Sequence, residues 1–247
     1  MSTGVTEMPA TDLLPPGAGR TFTAARTVRL GDVDPSGTLR VDAIARYLQD
    51  VASDDALDAA LPNALGWVVR RTLIRVGEPA TVGDAVELTT YCTGAGRSWA
   101  ERRTALRSGS VNVADAVSLW VQVDVATGRP VRLGDEFDRV YGEAASGRVV
   151  SSKLSLPSRP PEGATTLMTW SFRRSDLDPF GHVNNAAQLA VAEELIGSAA
   201  GRRGRIEIEY LAPADSGVVY DIVVDGPLHW LRSSSGEVVS VIGVDRA

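Results

Sequence analysis

The sequence predicts an α+β protein made of two tandem copies of one unit, in which a helix is followed by antiparallel strands. Three observations predict this fold: a repeated turn motif, a helical hydrophobic pattern after each copy of the motif, and β-branched segments after each helix. The chain has 247 residues, of which 44% are hydrophobic and 23% are charged. This composition is ordinary for a globular protein, and the length accommodates two domains.

The turn motif occurs once in each half of the chain. Asp32-Val-Asp34-Pro35-Ser-Gly37 follows the strand-like segment 22–30, and Asp176-Leu-Asp178-Pro179-Phe-Gly181 follows the strand-like segment 168–173. The offset is 178 − 34 = 144 residues, and both aspartates, the proline and the glycine coincide in register. A repeat of this length indicates two copies of one domain rather than a solenoid.

A helical pattern of apolar residues follows each turn. The pattern comprises Val41, Ile44, Leu48, Val51 and Ala52 in the first half, and Ala186, Leu189, Ala190, Ala192 and Ile196 in the second. Each helix is apolar over much of its surface, which suits a helix wrapped by a curved sheet, the hot-dog arrangement. We therefore predict a double hot-dog fold, in which two tandem hot-dog domains form a pseudodimer with one continuous sheet.

Strand-like, β-branched segments follow each predicted helix. They are segments 67–76, 85–93, 99–107 and 111–124 in the first half, and 205–211, 218–224, 228–232 and 237–245 in the second. Proline, glycine and serine are concentrated at the chain start and between the halves, which is typical of connections without regular structure. The predicted organisation is a flexible tail at 1–20, a first domain at 21–142, a linker at 143–166 and a second domain at 167–247.

Charge and residue usage exclude several classes of function. The net charge of −6 argues against nonspecific nucleic-acid binding, which requires clustered cations. One cysteine, Cys92, and two histidines, His182 and His229, are too few for a cysteine-based zinc site or a histidine-rich metal centre. No apolar run is long enough for a membrane span, and residues 1–20 lack the features of a secretory signal. We therefore expect a cytoplasmic protein that binds neither nucleic acid nor membrane.

Residues 176–185 concentrate the groups that can do chemistry. A Pro-x-Gly bend connects strand to helix, and either Asn184 or Asn185 is suited to cap that helix. The turn thus brings Asp178 and His182 to a helix start, where unpaired N–H groups carry partial positive charge. A carboxylate at this place can deprotonate water or attack a carbonyl, and the N–H groups can stabilise an oxyanion.

This segment resembles the active-site loop of hot-dog thioesterases. Other segments narrow the resemblance to the acyl-acyl carrier protein (acyl-ACP) thioesterases: Tyr47-Leu-Gln49-Asp-Val51-Ala, Trp67-Val-Val-Arg70, Gly83-Asp84-Ala-Val86-Glu87, Gly94-Ala-Gly96-Arg97, Glu101-Arg102-Arg103, Ser118-Leu-Trp120-Val121 and Ile206-Glu207-Ile208-Glu209-Tyr210. The resemblance extends from about Phe22 to Asp245 and follows the order of both halves.

The resemblance implies hydrolysis of fatty acyl-ACP to free fatty acid and ACP in fatty-acid biosynthesis, without a metal or cofactor. The family's catalytic aspartate and histidine fall on Asp178 and His182. The aspartate would take a proton from water or attack the thioester directly, and the histidine would orient the water or polarise the thioester carbonyl. We expect support from the loop residues Gly181, Val183, Asn184 and Asn185.

The first half keeps the turn and lacks the catalytic side chains. Asp34 matches Asp178, but Thr38 and Arg40 stand where the second half has histidine and asparagine. We therefore expect the first half to line the acyl-chain pocket rather than to catalyse.

Two positions depart from the plant members of the family. Those members carry Asn where this chain has Phe180, and Glu-Cys where it has Pro213-Ala214. A cysteine nucleophile therefore does not apply here. We predict structural roles for Cys92, as a small buried hydrophobe, and for His229.

Three alternatives stay open: an acyl-CoA thioesterase of the same fold, a hydratase or dehydratase of the superfamily, and a non-catalytic acyl-thioester-binding protein. If the partner is ACP, which the resemblance implies is acidic, a chain of net charge −6 needs a local cationic patch to bind it. The densest cluster is Arg202, Arg203 and Arg205, and we predict that it docks ACP. The sequence also leaves a homodimer open.

Overall fold

The computed structural model describes residues 18–61, 65–196 and 203–246. Within them, ten strands form one antiparallel sheet in the order β1-β3-β4-β5-β2-β7-β10-β9-β8-β6. The strands are β1 (Thr21–Thr27), β2 (Leu65–Val76), β3 (Ala85–Ala95), β4 (Trp99–Ser108), β5 (Val111–Asp124), β6 (Thr165–Ser171), β7 (Gly204–Tyr210), β8 (Val219–Asp225), β9 (Leu228–Ser233) and β10 (Val238–Arg246). The α+β double hot-dog prediction is confirmed.

The two halves join at the centre of the sheet, where β2 pairs with β7 from Arg71↔Glu209 to Val76↔Gly204. The first half contributes helix α1 (Val41–Asp58), and the second contributes α3 (Asn185–Gln188) and α4 (Ala190–Ile196). Helix α1 contacts both α3 and α4, and one buried cluster includes residues of all three helices and of the sheet. The halves therefore share a single hydrophobic core.

The backbone follows the repeat that the sequence predicts. The N–H of Leu39 donates to the carbonyl of Ala80 at 2.9 Å, and the N–H of Val183 donates to the carbonyl of Ala214 at 2.9 Å. Gly37 and Gly181, which close the two turns, both have φ +81°, a left-handed conformation that glycine adopts with little strain. The repeated motif is one turn built twice.

Helix α2 (Asp135–Ala145) was not predicted from the sequence. Its signals are an acidic first turn and buried apolar residues four apart, at Phe137, Tyr141 and Ala145. These side chains pack on Cys92 and Ala100 of the first half. The helix ends inside the stretch predicted as linker.

Hydrogen bonds and an ion pair connect the rest of the predicted linker to the sheet. Arg148 donates from Nε to the carbonyl of Thr93 at 2.6 Å and pairs with the Glu101 carboxylate. The N–H groups of Ser155 and Leu156 donate to the Glu209 carboxylate at 2.6 and 3.0 Å. These bonds tie the segment between α2 and β6 to both halves.

The predicted tail at 1–20 falls mostly outside the described residues, which begin at Ala18. Its last residue, Arg20, belongs to the fold instead, because its Nε lies 2.6 Å from the carboxylate of Asp55 on α1. In the described part of the chain, no helix is long and apolar enough to cross a membrane.

Candidate active site

The turn at Asp178 is held by its own aspartate. Oδ1 of Asp178 accepts the N–H groups of Phe180 at 2.9 Å and His182 at 3.2 Å, and the N–H of Gly181 donates to the Asp178 carbonyl at 3.0 Å. In the first half, Asp34 accepts the equivalent N–H groups of residues 36 and 38, both at 2.9 Å. The sequence thus fixes the orientation of each carboxylate through the backbone of its turn.

The second carboxylate oxygen of Asp178 is the candidate reactive atom of this turn. Within the described residues, Oδ2 of Asp178 has no hydrogen-bond partner, and the half-buried side chain lines a cavity. Such an oxygen can accept a proton from water or attack an electrophilic carbon. At the equivalent turn of the first half, the hydroxyl of Ser36 donates to Oδ1 of Asp34 at 2.6 Å, whereas Phe180 offers Asp178 no hydroxyl.

His182 lies on the same turn, but its ring is not joined to the aspartate. Its backbone N–H binds Asp178, whereas its exposed imidazole has no hydrogen-bond partner in the described part of the chain. The structure therefore brings the two predicted catalytic residues together through the main chain only. Catalytic hydrogen bonds often tighten only when substrate binds, so this geometry leaves the role of the imidazole a proposal.

The supporting residues fix the loop and the helix start. Asn184 is the N-cap of α3, with Oδ1 accepting the N–H of Ala186 at 2.8 Å, and Val183 is buried. The carbonyl of Asn185 accepts the hydroxyl of Tyr210 at 2.9 Å. Among the described residues, the N–H of Asn185 has no acceptor, so it is the backbone donor left over at this helix start. The single helix predicted here is instead two, α3 and α4, interrupted at Leu189.

The cavity extends from the Asp178 turn into the first half and has a volume of about 360 Å³. The second half contributes the loop residues Asp178, Pro179, Phe180, Asn184 and Asn185. The first half contributes α1, α2 and strands β2 to β5, largely through apolar side chains that include Ala52, Ala56, Trp67, Val69, Ala100, Trp120 and Phe137. The role of the first half in holding an acyl chain stays a prediction.

Phe180 stands at this cavity with 62% of its surface exposed. A phenyl ring offers no hydrogen bond, so the polar contact that plant members of the family place here is not supplied by this side chain.

A buried ionic cluster also borders the cavity. Arg102 and Tyr141, both lining residues, bind the carboxylate of Asp55 at 2.7 and 2.9 Å, and the guanidinium lies 5.4 Å from the Tyr141 ring centroid. Burial raises the pKa of Tyr141 to about 12, so its hydroxyl remains a neutral donor. No contiguous sequence motif marks this cluster, because its members lie on three separate elements.

Cys92 and His229 take the positions expected of structural residues. Cys92 is buried in β3 and lines the cavity, and burial raises the pKa of its thiol, which disfavours the reactive thiolate. His229 is buried in β9, where burial lowers the pKa of its imidazole. Of the described His, Cys, Asp and Glu residues, no three are grouped in a way that could hold a metal ion.

The predicted arginine cluster does not form one patch in the described residues. Arg202 lies outside them. Arg203 is exposed and pairs with Glu78, whereas Arg205 is only 16% exposed in its side chain and pairs with Glu207 at 2.6 Å. The two border different cavities. Since Arg205 is bound to Glu207 on the sheet, Arg203 is the member of the predicted cluster that is exposed in the described part of the chain.

Comparison with known proteins adds sequence and structural relatives. A family model described as the acyl-ACP thioesterase N-terminal domain matches residues 19–141. An uncharacterized protein of Mycobacterium tuberculosis is 27% identical over 205 residues, covering 82% of this chain and 81% of the relative. The chloroplastic oleoyl-acyl carrier protein thioesterase of Coriandrum sativum is 27% identical over 197 residues, covering 68% of this chain and 52% of the relative. The chain thus spans about half the length of that plant relative.

Among solved structures, the 12:0-ACP thioesterase from Umbellularia californica superimposes with a TM-score of 0.74 at 21% identity. The match covers 92% of this chain and 97% of that structure. This likeness shows the fold.

Proposed function

Because this chain belongs to the acyl-ACP thioesterase family, we propose that it hydrolyses the thioester of a fatty acyl-ACP to a free fatty acid and the carrier thiol. One observation carries the proposal: a largely apolar cavity connects the first half of the chain to a carboxylate of the second half. An acyl chain in this cavity would place its thioester beside Asp178. Burying the chain among apolar side chains favours binding by roughly 25 cal/mol per Å² removed from water.

The chemistry follows from the free oxygen of Asp178. A water molecule attacks the thioester carbonyl carbon while Oδ2 of Asp178 accepts its proton, and the carbonyl π electrons move to oxygen. The tetrahedral intermediate then expels the carrier thiolate, which takes the proton from Asp178 and so regenerates the carboxylate. The N–H of Asn185 is the backbone donor suited to stabilise the oxyanion, and His182 would orient the water or polarise the thioester. Direct attack by Asp178 followed by hydrolysis of the anhydride gives the same products.

The test measures thiol release from a panel of acyl-ACP and acyl-CoA substrates of varied chain length. Preferential turnover of acyl-ACP supports the proposal. Preference for acyl-CoA would identify an acyl-CoA thioesterase of the same fold. Tight binding of acyl thioester without release of thiol would identify an acyl-binding protein instead.

A further inference from the structure

The helix of each half reaches toward the turn of the other half. The offset that relates the two turns also relates Gln49 to Glu193 (193 − 49 = 144) and Val41 to Asn185 (185 − 41 = 144). Gln49 lies on α1, Glu193 lies on α4, and these helices contact each other. The environment of Glu193 therefore shows what a side chain at this position can contact.

In the first half, Glu193 contacts the start of helix α1. The Glu193 carboxylate accepts the N–H of Val41, the first residue of α1. The neighbouring Arg40 is bound to Asp42 at 2.8 Å and to the carbonyl of Val33 at 2.8 Å. A carboxylate fixed at this N–H occupies the donor and would repel the developing negative charge of a reacting carbonyl. This contact makes the helix start of the first half unsuited to stabilise an oxyanion.

In the second half, Gln49 stands in the place of Glu193. It is half-buried and lines the same cavity as Asp178 and Asn185. Its amide has no hydrogen-bond partner within the described residues, and the N–H of Asn185 has no acceptor there either. A glutamine amide is neutral and carries two N–H donors, which a carboxylate lacks. Glu193 thus occupies the helix start of the first half, whereas Gln49, at the equivalent position, brings an amide donor with no described partner to the cavity of the second.

We propose that Gln49 is a substrate-contacting residue of the thioesterase reaction, and this rests on the proposed function. Its Nε2 group donates a hydrogen bond to the thioester carbonyl oxygen, beside the N–H of Asn185. Gln49 makes and breaks no covalent bond. Its hydrogen bond strengthens as charge builds on that oxygen, while the proton of water passes to Asp178 and the thiolate leaves. The active site is then composite, with the carboxylate from the second half and a side-chain donor from the first.

The experiment compares thiol release by Gln49→Ala, Gln49→Glu and wild type. Loss of a donor to a developing oxyanion costs on the order of 10²–10³-fold in kcat. We expect such a loss in both variants with KM close to wild type, because the bond matters most in the transition state. Gln49→Glu preserves the size of the side chain and therefore controls for packing. Glu193→Gln is the matched control in the inactive half, and it should retain wild-type kcat with an acceptor still at Val41.

The outcomes separate this inference from the proposed function. Folded Gln49 variants with wild-type kcat, or with a raised KM alone, would overturn the role of Gln49 while leaving the hydrolase intact. A comparable loss in Glu193→Gln would also overturn it, since the effect would then be on the helix pair. Wild-type protein that releases no thiol from any acyl-ACP or acyl-CoA would overturn both.

Discussion

Asp178 and Asp34 show how one turn serves two purposes. Both carboxylates accept the equivalent pair of backbone N–H groups, so the turn folds in the same way in each half. Oδ1 of Asp34 also accepts the hydroxyl of Ser36, whereas the equivalent residue of the second half is Phe180, and Asp178 lines the cavity with an oxygen that has no partner among the described residues. The difference at the level of single residues is therefore chemical rather than conformational.

Replacing Asp178 should remove the base or nucleophile. We expect Asp178→Ala to lower kcat by about 10²–10⁴-fold, the usual contribution of a positioned proton acceptor. Asp34→Ala, the matched control, should leave kcat close to wild type. For both variants, steady-state thiol release measures kcat, and circular dichroism checks that the protein is folded. Unchanged turnover in Asp178→Ala would refute the assignment, and equal losses in the two variants would show that the turns act structurally.

Cys92 tests whether the reaction depends on a thiol. The side chain is 3% exposed, and burial raises the pKa of the thiol above its ordinary value, so little thiolate forms at neutral pH. We expect Cys92→Ala to retain most activity and iodoacetamide to inactivate the folded protein slowly. Abolished turnover in a stable Cys92→Ala protein would contradict this prediction.

At the scale of elements, Asp55 joins three parts of the first half. Its carboxylate on α1 binds Arg20, Arg102 of β4 and Tyr141 of α2, at 2.6, 2.7 and 2.9 Å. The side chain is 1% exposed. Removing one partner of such a buried cluster leaves uncompensated charge in a desolvated place.

We expect Asp55→Ala to lower the free energy of unfolding by roughly 3–5 kcal/mol. Asp58→Ala is the control, because Asp58 binds the same Arg20 at 2.6 Å but is 59% exposed, so its loss should cost below about 1 kcal/mol. Urea denaturation measures both values. Similar costs for the two variants would show that Asp55 contributes no more than a surface pair.

Local periodicity was sufficient to predict most of these elements. Every predicted strand is present to within a few residues, because alternation and β-branching persist along buried strands. Helix α2 was missed because its apolar positions are few and its sequence adjoins a stretch rich in glycine and serine. The break at Leu189 has no signal that the hydrophobic pattern could reveal.

The candidate site was predicted only where it is contiguous in sequence. The turn at Asp178 and the cap at Asn184 come from one short segment, so local rules sufficed. Gln49 and Arg102 join the cavity through helix packing and strand pairing, which no local pattern encodes. The spacing of the arginines in the sequence likewise does not reveal that Arg205 is bound to Glu207 on the sheet.

At the scale of the whole molecule, the continuous sheet makes the two halves one structural unit. The pairing of β2 with β7 and the shared core place the apolar cavity of the first half against the Asp178 turn of the second. The overall charge of −6 would oppose the approach of an acidic carrier, so docking requires a local cation on the surface.

Arg203, with its neighbour Arg202, is our candidate for that cation. Arg203 pairs with Glu78, and their side chains are 61% and 53% exposed, respectively. Such surface ion pairs are weak enough for an acidic partner to compete. We expect Arg202→Glu with Arg203→Glu to raise KM for acyl-ACP several-fold while hardly changing hydrolysis of an acyl-pantetheine. Glu78→Gln is the control, because it removes the competing carboxylate and should leave KM for acyl-ACP equal or lower. If the charge reversal slows both substrates equally, the arginines act on fold or chemistry. If it slows neither, the carrier docks elsewhere or the true substrate is acyl-CoA.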